Sequence, residues 1–236
     1  MNNPNGPYPG RQLFLGMTDS KYPCFAYLVS GRSPESRERK AIPIGQAIRI
    51  GPLGDTPYDP LRHYNAVIFD KLSGIAAVSN GIQTEAIFET YKLMFNTGSA
   101  PTRDYLEQIL EGAMAEPDSY HTPRIAGVIT GSRESPVFLI GMKAHNVYAM
   151  ATQLTPQAGT LVGISTYTGS LDSPESRQPS AALPEIEFKG KSSQELANFL
   201  FEISAASYKG NDIRVCSIGG IRSHDLIWDI SFVNAH

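Results

Sequence analysis

The chain has 236 residues, of which 41% are apolar and 18% are charged, and its formal net charge is −3. This length allows one large domain or two small ones with a substantial buried core. The negative charge argues against a general nucleic-acid-binding protein, which would usually be basic. Cys24 and Cys216 are far apart in the sequence. They predict neither a disulfide framework nor a metal site, and we interpret both as buried apolar residues of strands.

The N-terminal segment, residues 1–7, is polar and turn-rich. It has neither a basic region nor an apolar core, so it does not resemble a signal peptide. No stretch has the length of uninterrupted apolar residues that crossing a bilayer requires. We therefore expect a cytoplasmic protein without a membrane partner.

Strand patterns dominate the first third of the chain. Residues 12–17 and 25–30 flank a polar turn and predict a hairpin, and residues 46–50 alternate as a further strand. Residues 65–70 and 75–79 predict a second hairpin. Both of its strands are apolar almost throughout, which indicates a sheet that is covered on both faces.

Two helices are predicted next. Ile87, Tyr91, Met94 and Phe95 recur at helical spacing and form one apolar face. The second helix is predicted to begin near Thr102, a residue suited to the N-cap position. Its apolar stripe consists of Leu106, Ile109, Leu110 and Ala113.

Strand patterns then return at residues 124–130, 137–141, 147–153 and 160–167. Residues 168–184 are rich in Ser and Pro and poor in apolar side chains, and the length of this loop suggests mobility or a lid. A third helix is predicted at Ser192, because Ser192 and Glu195 have the spacing of a capping box. Two strands, 213–218 and 226–233, follow it.

This order of elements is not the regular strand–helix alternation of a parallel doubly wound fold. It predicts an α+β protein with mostly antiparallel sheets, in which two sheets face each other and helices cover both outer sides. We find no linker and no internal repeat, so we expect a single domain over residues 1–236. Such a core permits a homo-oligomer but does not require one.

Three arginines, Arg32, Arg37 and Arg39, occupy one short segment directly after the strand predicted at residues 25–30. The planar guanidinium fork fits phosphate oxygens two at a time, so an arginine-rich loop on a rigid strand can hold a phosphate. A solvated charged loop is the alternative interpretation.

Two further segments place polar residues at strand ends. Tyr64 and Asn65 begin a buried strand, where they could face a cleft or simply complete a proline-bounded turn. Ser79, Asn80 and Gly81 lie between a strand and a helix. Backbone N–H groups at a helix N-terminus can bind an anion or a carbonyl group, although a turn with a capping residue is equally physical.

Residues 116–127 form the segment richest in ionisable groups. It contains Glu116, Asp118, Tyr120, Thr122 and Arg124, and two prolines fix its backbone. A stiff loop of this composition suits a site that needs preset proton donors and acceptors. A purely structural loop is the alternative.

Several common chemistries are not predicted. The chain has no glycine-rich phosphate loop, and its five histidines lack metal-ligand spacing. Ser223, His224 and Asp225 are adjacent, and adjacent side chains point apart, so they cannot form a catalytic triad.

Together these segments resemble one family, the archaeal-type inosine monophosphate (IMP) cyclohydrolases. The similar elements, in chain order, are Gly10-Arg11, Tyr27-x-Val29-Ser30-x-Arg32-Ser33, Arg37, Tyr64-Asn65, Val78-Ser79-Asn80-Gly81 and Asp118-Ser119-Tyr120-x-Thr122-Pro123-Arg124-Ile125. The loop before Arg37 departs from the family pattern, because Pro34, Glu35 and Ser36 stand where an aromatic residue and an Asn are expected. The chain beyond Ile186 has few family landmarks.

The resemblance implies the fold of the N-terminal-nucleophile hydrolases, a four-layer αββα sandwich. That fold usually carries a Ser, Thr or Cys nucleophile at a processed N-terminus, whereas Gly10 and Arg11 lead the first strand here. The resemblance implies instead the dehydrative ring closure of formyl-AICAR (5-formamidoimidazole-4-carboxamide ribonucleotide) to IMP in purine biosynthesis. The implied partner is a purine ribonucleotide, and no metal or organic cofactor is implied.

The resemblance also implies roles for individual residues. Arg37, Tyr64, Glu116 and Asp118 would be catalytic, with Tyr64 donating to the substrate and either carboxylate moving protons. The substrate-binding residues would be Arg32, Ser33, Asn65, Ser79, Asn80, Gly81, Tyr120, Thr122 and Arg124. Of these, Arg32 and Arg124, together with Arg37, would bind the 5′-phosphate or orient the base. Arg39 lies beyond the matching motif and is interpreted as solvated.

Two other functions compete with this interpretation. A non-catalytic purine-nucleotide-binding protein on the same scaffold would keep the arginines but would not need Tyr64 or the carboxylates. An amide hydrolase of the N-terminal-nucleophile class would need a mature chain that starts at an internal Ser, Thr or Cys.

Overall fold

The computed structural model describes residues 8–236, so the polar segment 1–7 lies outside the described residues. The helices found in this range are α1 (Pro34–Arg37), α2 (Gln83–Thr97), α3 (Arg103–Ala113) and α4 (Ser193–Ile203). The strands are β1 (Gln12–Met17), β2 (Pro23–Ser30), β3 (Arg39–Ile44), β4 (Ala47–Pro52), β5 (Tyr64–Phe69), β6 (Ala76–Ser79), β7 (Arg124–Gly131), β8 (Pro136–Lys143), β9 (Met150–Leu154), β10 (Thr160–Ser165), β11 (Tyr167–Gly169), β12 (Pro174–Ser176), β13 (Glu185–Glu187), β14 (Ser207–Tyr208), β15 (Asn211–Asp212), β16 (Arg214–Arg222) and β17 (Trp228–Asn234).

Most strands belong to two large sheets. One has six strands in the order β13-β10-β1-β2-β16-β17, and the other has seven in the order β3-β4-β5-β6-β7-β8-β9. Every pairing within them is antiparallel. The prediction of a mixed helix-and-strand chain with mostly antiparallel sheets is confirmed.

The hydrophobic core lies mainly between these two sheets. Leu15 and Phe25 from the six-stranded sheet belong to one buried cluster with Ile129 and Ile140 from the seven-stranded sheet. A second cluster joins α2 and α3 to the seven-stranded sheet, and a third joins α4 to the six-stranded sheet. Both faces of each sheet are therefore covered, which explains why β2 is buried at every position.

The helix-start signals of the sequence can be compared with the structure. The Ser192 side chain accepts from the Glu195 amide at 3.2 Å, while the Glu195 carboxylate accepts from the Ser192 amide at 3.0 Å. Thr102 precedes α3 as expected, but its side chain makes no capping hydrogen bond. Phe95, predicted to be on the apolar face of α2, is largely exposed in the last turn of that helix.

Two segments contain more regular structure than the sequence predicted. The arginine-rich segment is not a plain loop, because it contains α1 and the first residue of β3. The segment 168–184 contains most of the β11–β12 hairpin. Cys24 and Cys216 are buried free thiols in β2 and β16, as predicted. Among residues 8–236, no helix has both the length and the apolar character needed to cross a membrane.

Two edge strands from different sheets are joined by a side chain. The Ala41 amide in β3 donates to Oδ1 of Asn234 at 2.8 Å, and Nδ2 of Asn234 donates to the Ala41 carbonyl at 3.2 Å. Asn234 is the last residue of β17. Its amide group thus pairs with the β3 backbone as another strand would.

Candidate active site

The polar segments identified in the sequence converge at one end of the two sheets. Ser30 ends β2, Ser79 ends β6, and Arg124 begins β7. Two adjoining cavities of about 450 and 410 Å³ lie here. They share five lining residues, which are Arg11, Ser33, Ser36, Arg39 and Asp118. Each cavity has the size of a small-molecule site.

We call the larger one the tyrosine cavity, because it is lined by Tyr8, Tyr120, Tyr167 and Tyr208. Its charged lining consists of Arg11, Arg32, Arg39, Lys209 and Asp118. Four cations thus face a single carboxylate. This half of the site is suited to an anionic ligand with an aromatic or ribose group.

Arg32 is held in the tyrosine cavity by aromatic rings. Its guanidinium carbon lies 5.1, 5.2 and 5.7 Å from the ring centroids of Tyr8, Tyr120 and Tyr208. Its Nη1 also donates to the carbonyl of Leu171 at 2.6 Å. These contacts position the cation without neutralising it.

We call the second one the carboxylate cavity. Its charged lining residues are Arg11, Glu35, Arg39, Asp59, Arg62, Glu116 and Asp118. Here four carboxylates face three arginines, so proton acceptors are concentrated beside the cation-rich tyrosine cavity.

Glu116 is the most enclosed carboxylate of the site, with 3% of its surface exposed. Its Oε1 accepts a close hydrogen bond from Arg11 Nη2, one from Arg124 Nη1 at 3.0 Å, and one from Asn80 Nδ2 at 3.3 Å. None of the hydrogen bonds found in residues 8–236 reaches Oε2. One carboxylate oxygen is therefore fixed, while the other remains available to a ligand.

The arginines around Glu116 respond differently to burial. Burial alone would lower the pKa of Arg11, but the Glu116 carboxylate, with Tyr64 and Tyr27, raises it well above its ordinary value. Burial lowers the pKa of Arg124, and the charge of Glu116 opposes that shift. Glu116 therefore acts electrostatically on both arginines that it contacts.

Two tyrosines lie close to this cluster. The hydroxyls of Tyr27 and Tyr64 are 2.9 Å apart and buried. Burial raises the pKa of Tyr64, although the charges of Arg11 and Arg39 oppose this. Tyr64 lines neither of the two joined cavities but a separate one of about 400 Å³. It can therefore act on a ligand of the joined cavities only through its neighbours.

Asn65 also lies outside the joined cavities. It lines the separate cavity beside Tyr64. Its Oδ1 accepts from Arg49 Nε at 3.1 Å, and its Nδ2 donates to Glu85 at 2.8 Å. These contacts hold Asn65 in a polar network between β4, β5 and α2.

Asp118 lines both joined cavities and is oriented by Thr122. The amide and the hydroxyl of Thr122 donate to the two oxygens of Asp118, at 2.8 and 2.5 Å. The Thr122 hydroxyl also contacts the hydroxyl of Tyr167. Burial raises the pKa of Tyr167 to about 12, so this hydroxyl keeps its proton at neutral pH. Thr122 itself is buried and orients the cavity residues.

Ser79, Asn80 and Gly81 support the site from behind. Ser79 lies 2.5 Å from the Thr84 hydroxyl, and both are buried. Asn80 accepts from the Ile125 amide at 2.8 Å, which fixes the start of β7. A Cβ added at Gly81 would collide with Nη1 of Arg124. Glycine is therefore needed for the guanidinium to reach Glu116.

The arginine-rich segment divides between two roles. Arg32 and Ser33 line the tyrosine cavity. Arg37 lines neither joined cavity, and its Nη1 donates to the carbonyl of Arg32 at 2.6 Å. The interpretation of Arg39 as solvated is wrong. Only 3% of Arg39 is exposed, because β3 directs it inward.

Several residues that line the cavities were not predicted from the sequence to be site residues. They are Tyr8, Arg11, Arg39, Tyr167, Tyr208 and Lys209. Arg11 had a usable signal, since Gly10-Arg11 directly precedes the first strand. Tyr208 and Lys209 had none, because the short β14–β15 hairpin brings them to the cavity from far along the chain. The segment 168–184 also meets the site, where Ser176 Oγ donates to the Tyr120 carbonyl at 3.0 Å.

The described part of the chain has no group of three or more His, Cys, Asp or Glu side chains that could hold a metal ion. Glu116 and Asp118 are held instead by arginine, amide and hydroxyl donors. The site can bind an anion and hold a carboxylate in a fixed orientation.

Two relatives of the chain have the same name. A protein named IMP cyclohydrolase from Methanococcus maripaludis is 38% identical over 125 residues, which covers 52% of this chain and 58% of that protein. The match thus spans little more than half the length of that relative. A Methanocaldococcus jannaschii protein of the same name is 30% identical over 197 residues, or 82% of this chain and 85% of that protein. The family described as IMP cyclohydrolase-like protein matches residues 8–225, and the chain belongs to this family.

Proposed function

We propose that this protein is an IMP cyclohydrolase, which closes the six-membered ring of formyl-AICAR to give IMP and water in purine biosynthesis. Family membership and the names of the relatives support the reaction. The observation that carries the proposal is Glu116, which is clamped by two arginines on one oxygen beside a cation-rich cavity. No cofactor is required by this reaction.

The charge distribution of the two cavities orients the substrate. A 5′-phosphate carries nearly two negative charges and favours the tyrosine cavity, where four cations face one carboxylate. The formamido and carboxamide groups then lie in the carboxylate cavity, near Glu116 and Asp118. This orientation separates the binding charge from the groups that exchange protons.

The reaction joins the carboxamide nitrogen to the formyl carbon and gives a carbinolamine. The nitrogen loses one proton and the formyl oxygen gains one. The carbinolamine then loses its hydroxyl group together with the proton of the former formamido nitrogen as water, and the C=N bond forms between that nitrogen and the former formyl carbon. An amide nitrogen is a poor nucleophile, so orientation must contribute strongly, by up to about 7–11 kcal/mol.

Glu116 accepts the proton from the attacking nitrogen through its Oε2. Arg11 and Arg124 hold the other oxygen of this carboxylate in place, and Arg11, which also lines the carboxylate cavity, stabilises negative charge that develops on the formyl oxygen. Asp118 lines the same cavity and handles the second proton transfer. Tyr64 and Tyr27 are hydrogen-bonded to each other and raise the pKa of Arg11, while Arg37 holds the Arg32 backbone.

The remaining predicted residues form the walls and supports of this site. Ser33 and Tyr120 line the tyrosine cavity, and Asn80, Gly81 and Thr122 position the charged side chains. We also propose that the two sheets and their outer helices form the αββα sandwich of the N-terminal-nucleophile hydrolases. The shared core between the sheets and the separate helix clusters support that architecture.

The test is to incubate purified protein with formyl-AICAR and follow IMP formation by absorbance. We expect saturable turnover that is retained by Glu187→Gln, a change at an exposed carboxylate on β13. IMP binding without turnover would contradict the proposal and indicate a nucleotide-binding protein. Release of formate without IMP would contradict it and indicate an amide hydrolase.

A further inference from the structure

Arg39 is a buried cation that forms no salt bridge within the described residues. Its Nε donates to the carbonyl of Ser36 at 2.8 Å, and its Nη1 lies 3.4 Å from the carbonyl of Arg62. Three other arginines near the site have carboxylate partners: Arg11 and Arg124 share Glu116, and Arg62 pairs with Asp59 at 2.6 Å. Arg32 and Arg37 have none, but neither is buried as Arg39 is.

A buried charge without a counter-charge is unfavourable by several kcal/mol. Arg39 nevertheless lies with 97% of its surface covered, and the covered side chain borders both joined cavities. Two carbonyl groups satisfy some of its donors, yet its charge is not neutralised by the fold. An anion that enters the cavities would supply the missing partner.

We infer that Arg39 is the principal phosphate-binding residue of the site and that it selects nucleoside 5′-monophosphates over nucleosides. Arg32 and Lys209 line the same cavity and supply further positive charge. The guanidinium of Arg39 can donate two parallel hydrogen bonds to phosphate oxygens. The identity of the nucleotide rests on the proposed function, but the need for an anion at Arg39 rests on its burial and its lack of a carboxylate.

This assignment separates two arginines of one short segment. Arg37 uses Nη1 to hold the carbonyl of Arg32 and lines neither joined cavity. Arg39 begins β3, where alternation turns it inward and turns Lys40 to the other face of the strand. Lys40 therefore provides a matched control, with the same charge one residue away.

The test is to titrate the wild type, Arg39→Gln and Lys40→Gln with IMP and with inosine by calorimetry. We expect Arg39→Gln to weaken IMP binding by about 100-fold, since a buried charged hydrogen-bond partner is lost. Inosine binding should change by less than about threefold in all three proteins, because inosine has no phosphate. Lys40→Gln should bind IMP as the wild type does.

Equal losses for IMP and inosine, or unchanged IMP affinity in Arg39→Gln, would overturn the inference. Circular dichroism checks folding, and if Arg39→Gln does not fold, Arg39→Lys replaces it. Lysine keeps the charge but loses the fork, so at least about tenfold weaker IMP binding is then required. If the three proteins bind IMP and inosine as expected but the wild type makes no IMP from formyl-AICAR, the proposed function is refuted while the assignment of Arg39 stands.

Discussion

The two ends of the paired sheets bury arginine in different ways. At the site end, Arg11 and Arg124 both donate to Oε1 of Glu116. At the opposite end, Arg222 is 1% exposed and ends β16. It donates to main-chain carbonyls only, those of Gly74, Thr130, Gly131 and Ser132.

The difference distinguishes Arg222, which has a structural role, from the arginines that contact the candidate catalytic carboxylate Glu116. Carbonyl oxygens do not change protonation at neutral pH, so Arg222 only joins the end of β16 to Gly74 and to residues 130–132 at the end of β7. Burial lowers its pKa to about 10, which leaves it charged under ordinary conditions. A carboxylate such as Glu116 can accept and release a proton, so the same kind of burial at the site end supports catalysis.

The largest expected effect comes from removing the charge of Glu116. Glu116→Gln keeps the shape but cannot accept a proton, and we expect kcat to fall by about 10²–10⁴-fold. The rate of IMP formation measures this, with Glu187→Gln as the matched surface control. A Glu116→Gln protein that retains more than about a tenth of the wild-type kcat would show that another group performs this proton transfer.

Arg222→Met tests the opposite end. Methionine fills part of the space but leaves the carbonyl acceptors without their charged donor, so we expect a loss of about 3 kcal/mol in the free energy of unfolding. Urea unfolding measures that loss. The kcat of the folded variant should be unchanged, and a large drop in kcat at full folding would mean that the two ends are coupled.

Gly81→Ala tests the packing at the site end, because it adds one methyl group beside Arg124. The new Cβ would collide with Nη1 of Arg124 and lie 2.7 Å from Oε1 of Gln83. We expect about 1–3 kcal/mol of destabilisation together with reduced kcat. Gly112→Ala is the control, because a Cβ at Gly112 in α3 meets no atom within 4 Å. Equal stability in both variants would contradict the crowding described at Gly81.

The smallest effect is expected at Asp70, in the loop beside Gly74. Burial alone would raise the pKa of Asp70. Hydrogen bonds from Ser73 and the charge of Lys92 lower that pKa by more than burial raises it, so the net shift is downward. A lowered folded-state pKa stabilises the protein above the unfolded pKa, and this contribution is lost as the pH falls through the folded value. Asp70→Asn should therefore cost about 1 kcal/mol at neutral pH.

The cost of Asp70→Asn should shrink below about pH 4, where the unfolded Asp takes up its proton. Urea unfolding of wild type and variant at neutral and acidic pH measures the difference between the two proteins. A constant difference across that range would show that the carboxylate charge at Asp70 contributes no stability.

The parts of the fold that sequence could predict depend on neighbours in the chain. The capping box of α4 needs only Ser192 and Glu195, and the apolar run of β2 directly indicates a strand buried on both faces. β3 was missed because it begins with Arg39, whose burial depends on cavities formed by distant segments. No local pattern distinguishes such an arginine from a solvated one.

The candidate site shows the same limit. Glu116, Asp118 and Arg124 lie close in sequence, and the structure brings them to one site. Tyr64 and Asn65 also stand at a strand end, yet they face a different cavity. Which side of a strand end faces a cleft is set by packing between the sheets, and that information is not contained in a short segment.

The pairing of Asn234 with Ala41 has a consequence for biosynthesis. The strand that carries Arg39 receives this partner from 193 residues further along the chain. During translation the hydrogen bonds between β3 and Asn234 of β17 cannot form until the intervening chain has been made, because the two strands are far apart in the sequence. We therefore expect the outer edge of β3 to lack this partner until synthesis of the chain is nearly complete.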